Sequence, residues 1–150
     1  FQAALGLSQL KKIDKLINRR RYIVDYYNEE LSKYDEFILP YEDSDVNSNF
    51  HIYTLQVADN NNFDRYDLFN YLKENNYLPM VHYIPVHLLS YYKNKFGYSR
   101  GDFPCSERYY DRTISLPLYP SLSNSQIEKV VIDIQNYVEK MKWLFRNYVE

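Results

Sequence analysis

The stretch Val-His-Tyr-Ile-Pro-Val-His at residues 81–87 is the segment around which we expect this chain to fold. It holds two of the three histidines, a tyrosine and a proline that stiffens the backbone. Residues 77–84 are predicted to form a strand that ends at Pro85. Polar side chains at such an exit are well placed to meet a ligand, and we expect any binding site to lie there.

The first 34 residues are predicted to form one long amphipathic helix. Apolar side chains recur there at seven-residue intervals, at Ala3, Leu10, Ile17, Val24 and Leu31. At 1.5 Å per residue, such a helix is about 45–50 Å long, which suits a connector between domains or a helix that packs on a partner. We expect the basic residues between positions 11 and 21 to be solvated rather than to bind nucleic acid.

The remaining chain alternates between strand and helix signals. Residues 50–57 and 113–118 show the alternation of strands, which gives three main strands together with residues 77–84. Ser123 and Gln126 form a capping box that begins a long C-terminal helix. The sequence therefore predicts an α+β domain with a long N-terminal connector helix, a small three-stranded sheet covered by helices, and a long C-terminal helix.

Composition limits the function classes. The chain has 150 residues, 45% of them apolar, and a net charge of −2, which gives no field that would attract nucleic acid or an anionic membrane. Cys105 is the single cysteine and no apolar run reaches the length of a membrane span, so we expect a cytoplasmic protein. Because Phe1 opens directly into helix-forming sequence, we expect the chain to be a fragment cut inside or just before a helix.

Few residue types that carry chemistry are present. The soft metal ligands are His51, His82, His87 and Cys105, and their spacing matches neither a helical pair nor a zinc finger, so we predict no metal site. Three glycines are too few for a glycine-rich phosphate loop. What remains are His82, Tyr83 and His87 as donors and acceptors for a ligand, unless His82 and Tyr83 merely satisfy each other or the backbone.

Five segments, in order along the chain, carry a family resemblance: Gln2 to Leu10, Arg19 to Tyr27, His82 to His87, Phe103 to Glu107, and Ser115 to Pro120 with its Ser123 cap. Together they resemble the carboxyl-terminal portion of the DegT/StrS nucleotide-sugar aminotransferases. Within that family, the chain looks most similar to transaminases acting on UDP-linked 4-keto-6-deoxy-N-acetylhexoses, such as UDP-4-amino-4,6-dideoxy-N-acetyl-beta-L-altrosamine transaminase.

The resemblance implies that residues 1–150 are the small domain of a fold-type I enzyme, with residues 1–34 as its connector helix. Such enzymes use pyridoxal 5′-phosphate (PLP) and glutamate as amino donor, act as homodimers, and make amino-sugar nucleotides for surface glycans. The Schiff-base lysine belongs to a large domain absent here, so we expect no catalytic residue and no activity in this chain alone. His82, Tyr83 and His87 are expected to bind substrate or line the cleft.

Two alternatives stay open at this point. One is a non-catalytic interaction module whose long helix mediates dimerisation or partner binding. The other keeps PLP but changes the reaction, because some relatives dehydrate a sugar rather than transaminate it.

Overall fold

The computed structural model describes residues 1–59 and 62–148, which form an α+β fold as the sequence predicts. Six helices surround one sheet within these residues. The helices are α1 (Gln2–Leu10), α2 (Ile13–Leu31), α3 (Arg65–Glu74), α4 (Ser90–Phe96), α5 (Pro104–Arg112) and α6 (Asn124–Tyr148), with a 3₁₀ turn at Val86–Leu88. The strands are β1 (Phe37–Ile38), β2 (Tyr53–Val57) and β3 (Thr113–Leu116).

The sheet has three strands, but one of them is not the strand predicted from sequence. Its order is β1-β2-β3, both pairs are antiparallel, and Thr54 in β2 lies opposite Ser115 in β3. The prediction of a strand at residues 77–84 is wrong, since only Met80 pairs with the sheet, by a single bridge to Ser115. Pro79 and Pro85 lack the N–H that a continuous ladder requires.

The core lies between the sheet and the helices α2, α3 and α6. Tyr53, Leu55 and Val57 alternate as the buried face of β2, as the sequence indicates. Tyr27 and Tyr53 are fully buried with ring centroids 5.0 Å apart. Their hydroxyls are satisfied, because Tyr27 donates to the Pro117 carbonyl at 2.9 Å and Tyr53 to Oδ1 of Asn28 at 2.8 Å. Burial raises the pKa of both phenols.

The predicted single N-terminal helix is broken at Lys11 and Lys12. There the amide of Lys12 bonds the carbonyl of Gln9, three residues back, at 2.9 Å instead of continuing the four-residue spacing. The break lies in a poorly packed part of the chain: α1 buries no side chain, and the first buried residue of α2 is Ile23. Helices in proteins are stabilised mainly by tertiary packing. Without it, a long helical segment is not held as one continuous helix.

The arginines at positions 19–21 are half-buried and bonded to other segments, which corrects the expectation that this part of the basic stripe is a solvated face. Arg20 donates to the carbonyls of Phe50, His51 and Leu118 at 3.0–3.2 Å. Arg21 pairs with Glu42 at 3.0 Å, and Arg19 bonds the carbonyl of Leu122. These side chains bind α2 to the loop before β2 and to the segment after β3, which fixes the start of β2 and the exit of β3.

The long C-terminal helix begins as predicted. The amide of Ser123 donates to Oε1 of Gln126 at 2.9 Å, and the amide of Gln126 donates back to the Ser123 hydroxyl at 3.3 Å. The helix buries Ile127, Val130, Val131, Ile134, Tyr137 and Val138. None of the helices within residues 1–59 and 62–148 has the length and hydropathy needed to cross a membrane.

Candidate functional site

A cleft of about 570 Å³ opens where β3 ends. Its walls are the segment after α3, the exit of β3 and the first turns of α6, so it combines apolar surface with a few polar groups. It is lined by His51, Ile52, Asn75, Asn76, Tyr77, Leu78, Met80, His82, Ser115, Leu116, Pro117, Leu118, Tyr119, Leu122, Gln126, Lys129 and Val130. A cleft of this size suits a small ligand such as a sugar.

His82 lines this cleft and is hydrogen-bonded to strand β3. Its Nδ1 lies 2.7 Å from the hydroxyl oxygen of Ser115, a buried residue of β3. The backbone reinforces this contact, because the amide of Ser115 donates to the carbonyl of Met80 at 2.7 Å. The His82–Tyr83 peptide bond is cis. His82 is therefore anchored through one ring nitrogen.

Tyr83 lies beside His82 but outside the cleft lining. The two rings meet edge to face with centroids 4.6 Å apart, and Tyr83 remains 74% exposed. Its role in substrate binding stays a prediction.

His87 lies in a different environment from His82, although five residues separate them. It is buried, and its Nε2 lies 2.8 Å from Oε1 of Glu107, which is also buried. Because a carboxylate only accepts, His87 must carry a proton on Nε2. His87 lines a second depression of about 420 Å³ with Phe103 and other aromatic residues, so the structure does not bring it to the cleft of His82.

Glu107 joins His87 to the turn before α5. Besides the bond from His87, it accepts from the amide of Gly101 at 2.8–2.9 Å and from that of Phe103 at 3.2 Å. Burial by itself would raise the pKa of Glu107, but these three donors together hold it below the ordinary value. The pair therefore fixes the fold of this turn.

A second polar cluster at the cleft has no counterpart in the sequence predictions. The hydroxyl of Tyr77 and the ammonium of Lys129 both donate to Oδ2 of Asp133 at 2.6 Å. Burial would raise the pKa of Asp133, but its bonds to Lys129 and Tyr77 hold it below the ordinary value. The Lys129–Asp133 spacing of four residues on a helix was a signal for the ion pair, whereas Tyr77 is distant in sequence.

The cleft lining can be compared with what PLP and metal ions require. The cleft lining contains one lysine, already paired with Asp133, and no acidic side chain that could face a pyridine nitrogen. Within the part of the chain that the structure describes, no cluster of three histidine, cysteine or acidic residues could hold a metal. His51 and His82 both line the cleft, whereas Cys105 is exposed elsewhere.

Comparison with known proteins confirms the resemblance inferred from the five segments. The model of the DegT/DnrJ/EryC1/StrS aminotransferase family matches residues 1–135. The spore coat polysaccharide biosynthesis protein SpsC of Bacillus subtilis is 39% identical over 141 residues, which are 93% of this chain and 36% of SpsC. The UDP-4-amino-4,6-dideoxy-N-acetyl-beta-L-altrosamine transaminase of Campylobacter jejuni is 26% identical over 139 residues, 93% of this chain and 36% of that enzyme.

The fold is also that of a solved sugar aminotransferase. Spr1654 from Streptococcus pneumoniae superposes with a TM-score of 0.84 and 27% identity over 97% of this chain and 36% of that protein. Spr1654 has been solved in PLP and pyridoxamine-phosphate forms, in keeping with a PLP-dependent family. This chain spans about a third of the length of the curated relatives it matches.

Proposed function

Because the chain belongs to the DegT/DnrJ/EryC1/StrS aminotransferase family, we propose that it is the small domain of a PLP-dependent sugar-nucleotide aminotransferase. In this proposal residues 1–150 supply one wall of the active-site cleft, and the Schiff-base lysine and the cofactor lie in a large domain outside this chain. The observation that carries the proposal is the cleft at His82, which has room and polar groups for a sugar but no free lysine beside an acid.

The substrate we propose is a keto-sugar nucleotide of the UDP-4-keto-6-deoxy-N-acetylhexosamine type, aminated with glutamate as donor. The segments quoted above and the likeness to the Campylobacter jejuni transaminase support this choice. The likeness to SpsC supports a role in polysaccharide biosynthesis. Such a reaction would take place in the cytoplasm, by a homodimer.

His82 is the residue of this chain that we assign to substrate binding. It presents an aromatic ring with hydrogen-bonding nitrogens at the edge of an apolar cleft, and Ser115 holds it in place. Tyr83 is proposed to border the same entrance. His87 is assigned a structural task, since its Nε2 is already used by Glu107.

The direct test uses the full-length protein that contains this chain. The protein is incubated with PLP, glutamate and the UDP-linked keto sugar, and with GDP- and dTDP-linked keto sugars in parallel, and the products are identified by mass spectrometry. We expect the UDP-linked 4-amino sugar together with 2-oxoglutarate. A deoxygenated sugar without an amino group would instead support the dehydratase alternative, and amination of only the GDP- or dTDP-linked sugar would contradict the substrate assignment.

The placement of the lysine has its own test. This 150-residue chain is mixed with PLP and reduced with borohydride, and the adducts are located by peptide mass spectrometry. We expect only scattered, substoichiometric labelling of exposed lysines such as Lys11 and Lys12. A stoichiometric adduct on one lysine would contradict the assignment of the Schiff-base lysine to another domain.

One observation favours the alternative of an interaction module. The apolar side chains of α1 are exposed, with Leu5, Leu7 and Leu10 each about 60% accessible. Sedimentation equilibrium of the chain, compared with its Leu7→Glu variant, measures whether α1 drives self-association. The interaction module would be supported over the enzyme by two results together: the substitution abolishes dimers of the chain, and the full-length protein shows no transaminase activity.

A further inference from the structure

We propose that Ser115 is a positioning residue for His82: its hydroxyl donates to Nδ1 of His82, so that Nε2 keeps its proton and serves as a hydrogen-bond donor to the ligand in the cleft. The ligand atom must then be an acceptor, such as a hydroxyl, carbonyl or phosphate oxygen of a sugar nucleotide. That ligand class rests on the proposed function, whereas the placement of the proton does not.

The geometry brings the two side chains together through three links. Ser115 Oγ lies 2.7 Å from Nδ1 of His82. The backbone of Ser115 also donates to the carbonyl of Met80 at 2.7 Å, and the amide of Met80 returns a longer bond of 3.5 Å. Met80 is two residues from His82. Strand β3 therefore fixes both the backbone near His82 and the imidazole ring.

Burial decides which atom donates. Ser115 is 5% exposed, and no other partner for its hydroxyl occurs among the described residues. A hydroxyl has one proton and two lone pairs, and a buried O–H without an acceptor costs more than a lone pair left unused. The proton of Ser115 therefore points at Nδ1, and a neutral imidazole protonated on one nitrogen must carry its proton on Nε2.

The second nitrogen of His82 is available for a ligand. His82 lines the cleft, and its Nε2 has no hydrogen-bond partner within residues 1–59 and 62–148. His87 provides the contrast, because its Nε2–H is already donated to Glu107. Both histidines are thus assigned the Nε2–H tautomer. Only in His82 is the Nε2–H group not donated to another residue of the described chain.

The test is imidazole nitrogen NMR on the uniformly ¹⁵N-labelled chain, at about two pH units above the ordinary histidine value so that free imidazoles are neutral. With three histidines, the spectrum is simple to assign. We expect His82 to be the Nε2–H tautomer in the wild type, to become a mixture in Ser115→Ala, and to return to Nε2–H in Ser115→Thr. His87 should keep its Nε2–H signal in all three and serves as the internal control.

Two results would overturn the proposal. One is an Nδ1–H tautomer of His82 in the wild-type chain, which needs no variant and is independent of folding effects. The other is an unchanged His82 signal in Ser115→Ala, with circular dichroism showing a native fold.

Kinetics of the full-length enzyme separate this proposal from the proposed function. Loss of a hydrogen bond that orients a binding group should raise KM for the sugar nucleotide about 3- to 10-fold in Ser115→Ala, with bound PLP unchanged and with recovery in Ser115→Thr. If the NMR result holds but the wild type turns over no sugar nucleotide, the proposed function fails and the positioning of His82 by Ser115 stands.

Discussion

His82 and His87 lie five residues apart, yet the protein uses them in opposite ways. His87 is buried, and its partner Glu107 also receives two backbone amides. His82 is partly exposed, lines a cleft, and has one side-chain hydrogen-bond partner among the described residues. A histidine buried against a carboxylate contributes to stability, while a partly exposed histidine that lines a cleft is the better candidate for binding.

The largest effect we expect comes from His87→Ala. This substitution removes a buried hydrogen bond to a carboxylate and leaves a void beside Phe103, which should lower the free energy of unfolding by about 2–4 kcal/mol. Urea denaturation followed by circular dichroism measures it. The matched control is His82→Ala, for which we expect a smaller loss of about 1–2 kcal/mol, because the buried Ser115 hydroxyl loses its acceptor but the histidine itself is only half-buried. Equal losses in the two variants would remove the distinction between the histidines.

A second expectation concerns pH. The pKa of Glu107 is below its ordinary value of 4.5 in the folded chain. Such a carboxylate contributes its full stability above pH 4.5 and loses it as the pH falls through the lower folded-state value. The difference in melting temperature between the wild type and Glu107→Gln should therefore be widest above pH 4.5 and shrink below it. A gap that grows on acidification would show that the pKa is raised.

The smallest effect is expected at Tyr83. Because its ring is 74% exposed, Tyr83→Ala should change the free energy of unfolding by less than about 0.5 kcal/mol. The same urea titration measures this change. A loss comparable to that of His87→Ala would mean that Tyr83 has a packing role that its exposure does not indicate.

Local signals in the sequence predicted the parts of the fold that local interactions determine. The capping box at Ser123 and Gln126 sets the start of α6. The alternation of Tyr53, Leu55 and Val57 identifies β2 and its buried face. In both cases the information lies within a few residues, so periodicity and capping chemistry were sufficient.

Long-range interactions account for what the sequence could not predict. Residues 77–84 were predicted to be a strand, but a strand needs a partner to pair with. In the structure, only Met80 of this segment pairs with β3, through one bridge to Ser115. The contacts of Arg20 with carbonyls 30 and 98 residues away likewise could not be predicted from the charges of neighbouring residues.

The candidate site was predicted only in part for the same reason. Sequence proximity grouped His82 with His87, whereas the structure places His87 in a 3₁₀ turn and in a different depression from His82. The partners that define their roles, Ser115 and Glu107, lie 33 and 20 residues further along the chain. No spacing rule points to either pair.

The assignment of His82 to substrate binding is tested by His82→Ala in the full-length enzyme, with turnover of the sugar nucleotide and retained PLP measured on the same preparation. We predict that kcat/KM falls about tenfold or more while the absorbance of bound cofactor stays at the wild-type level. Equal loss of turnover and cofactor, or no loss of either, would contradict the assignment of His82 to substrate binding.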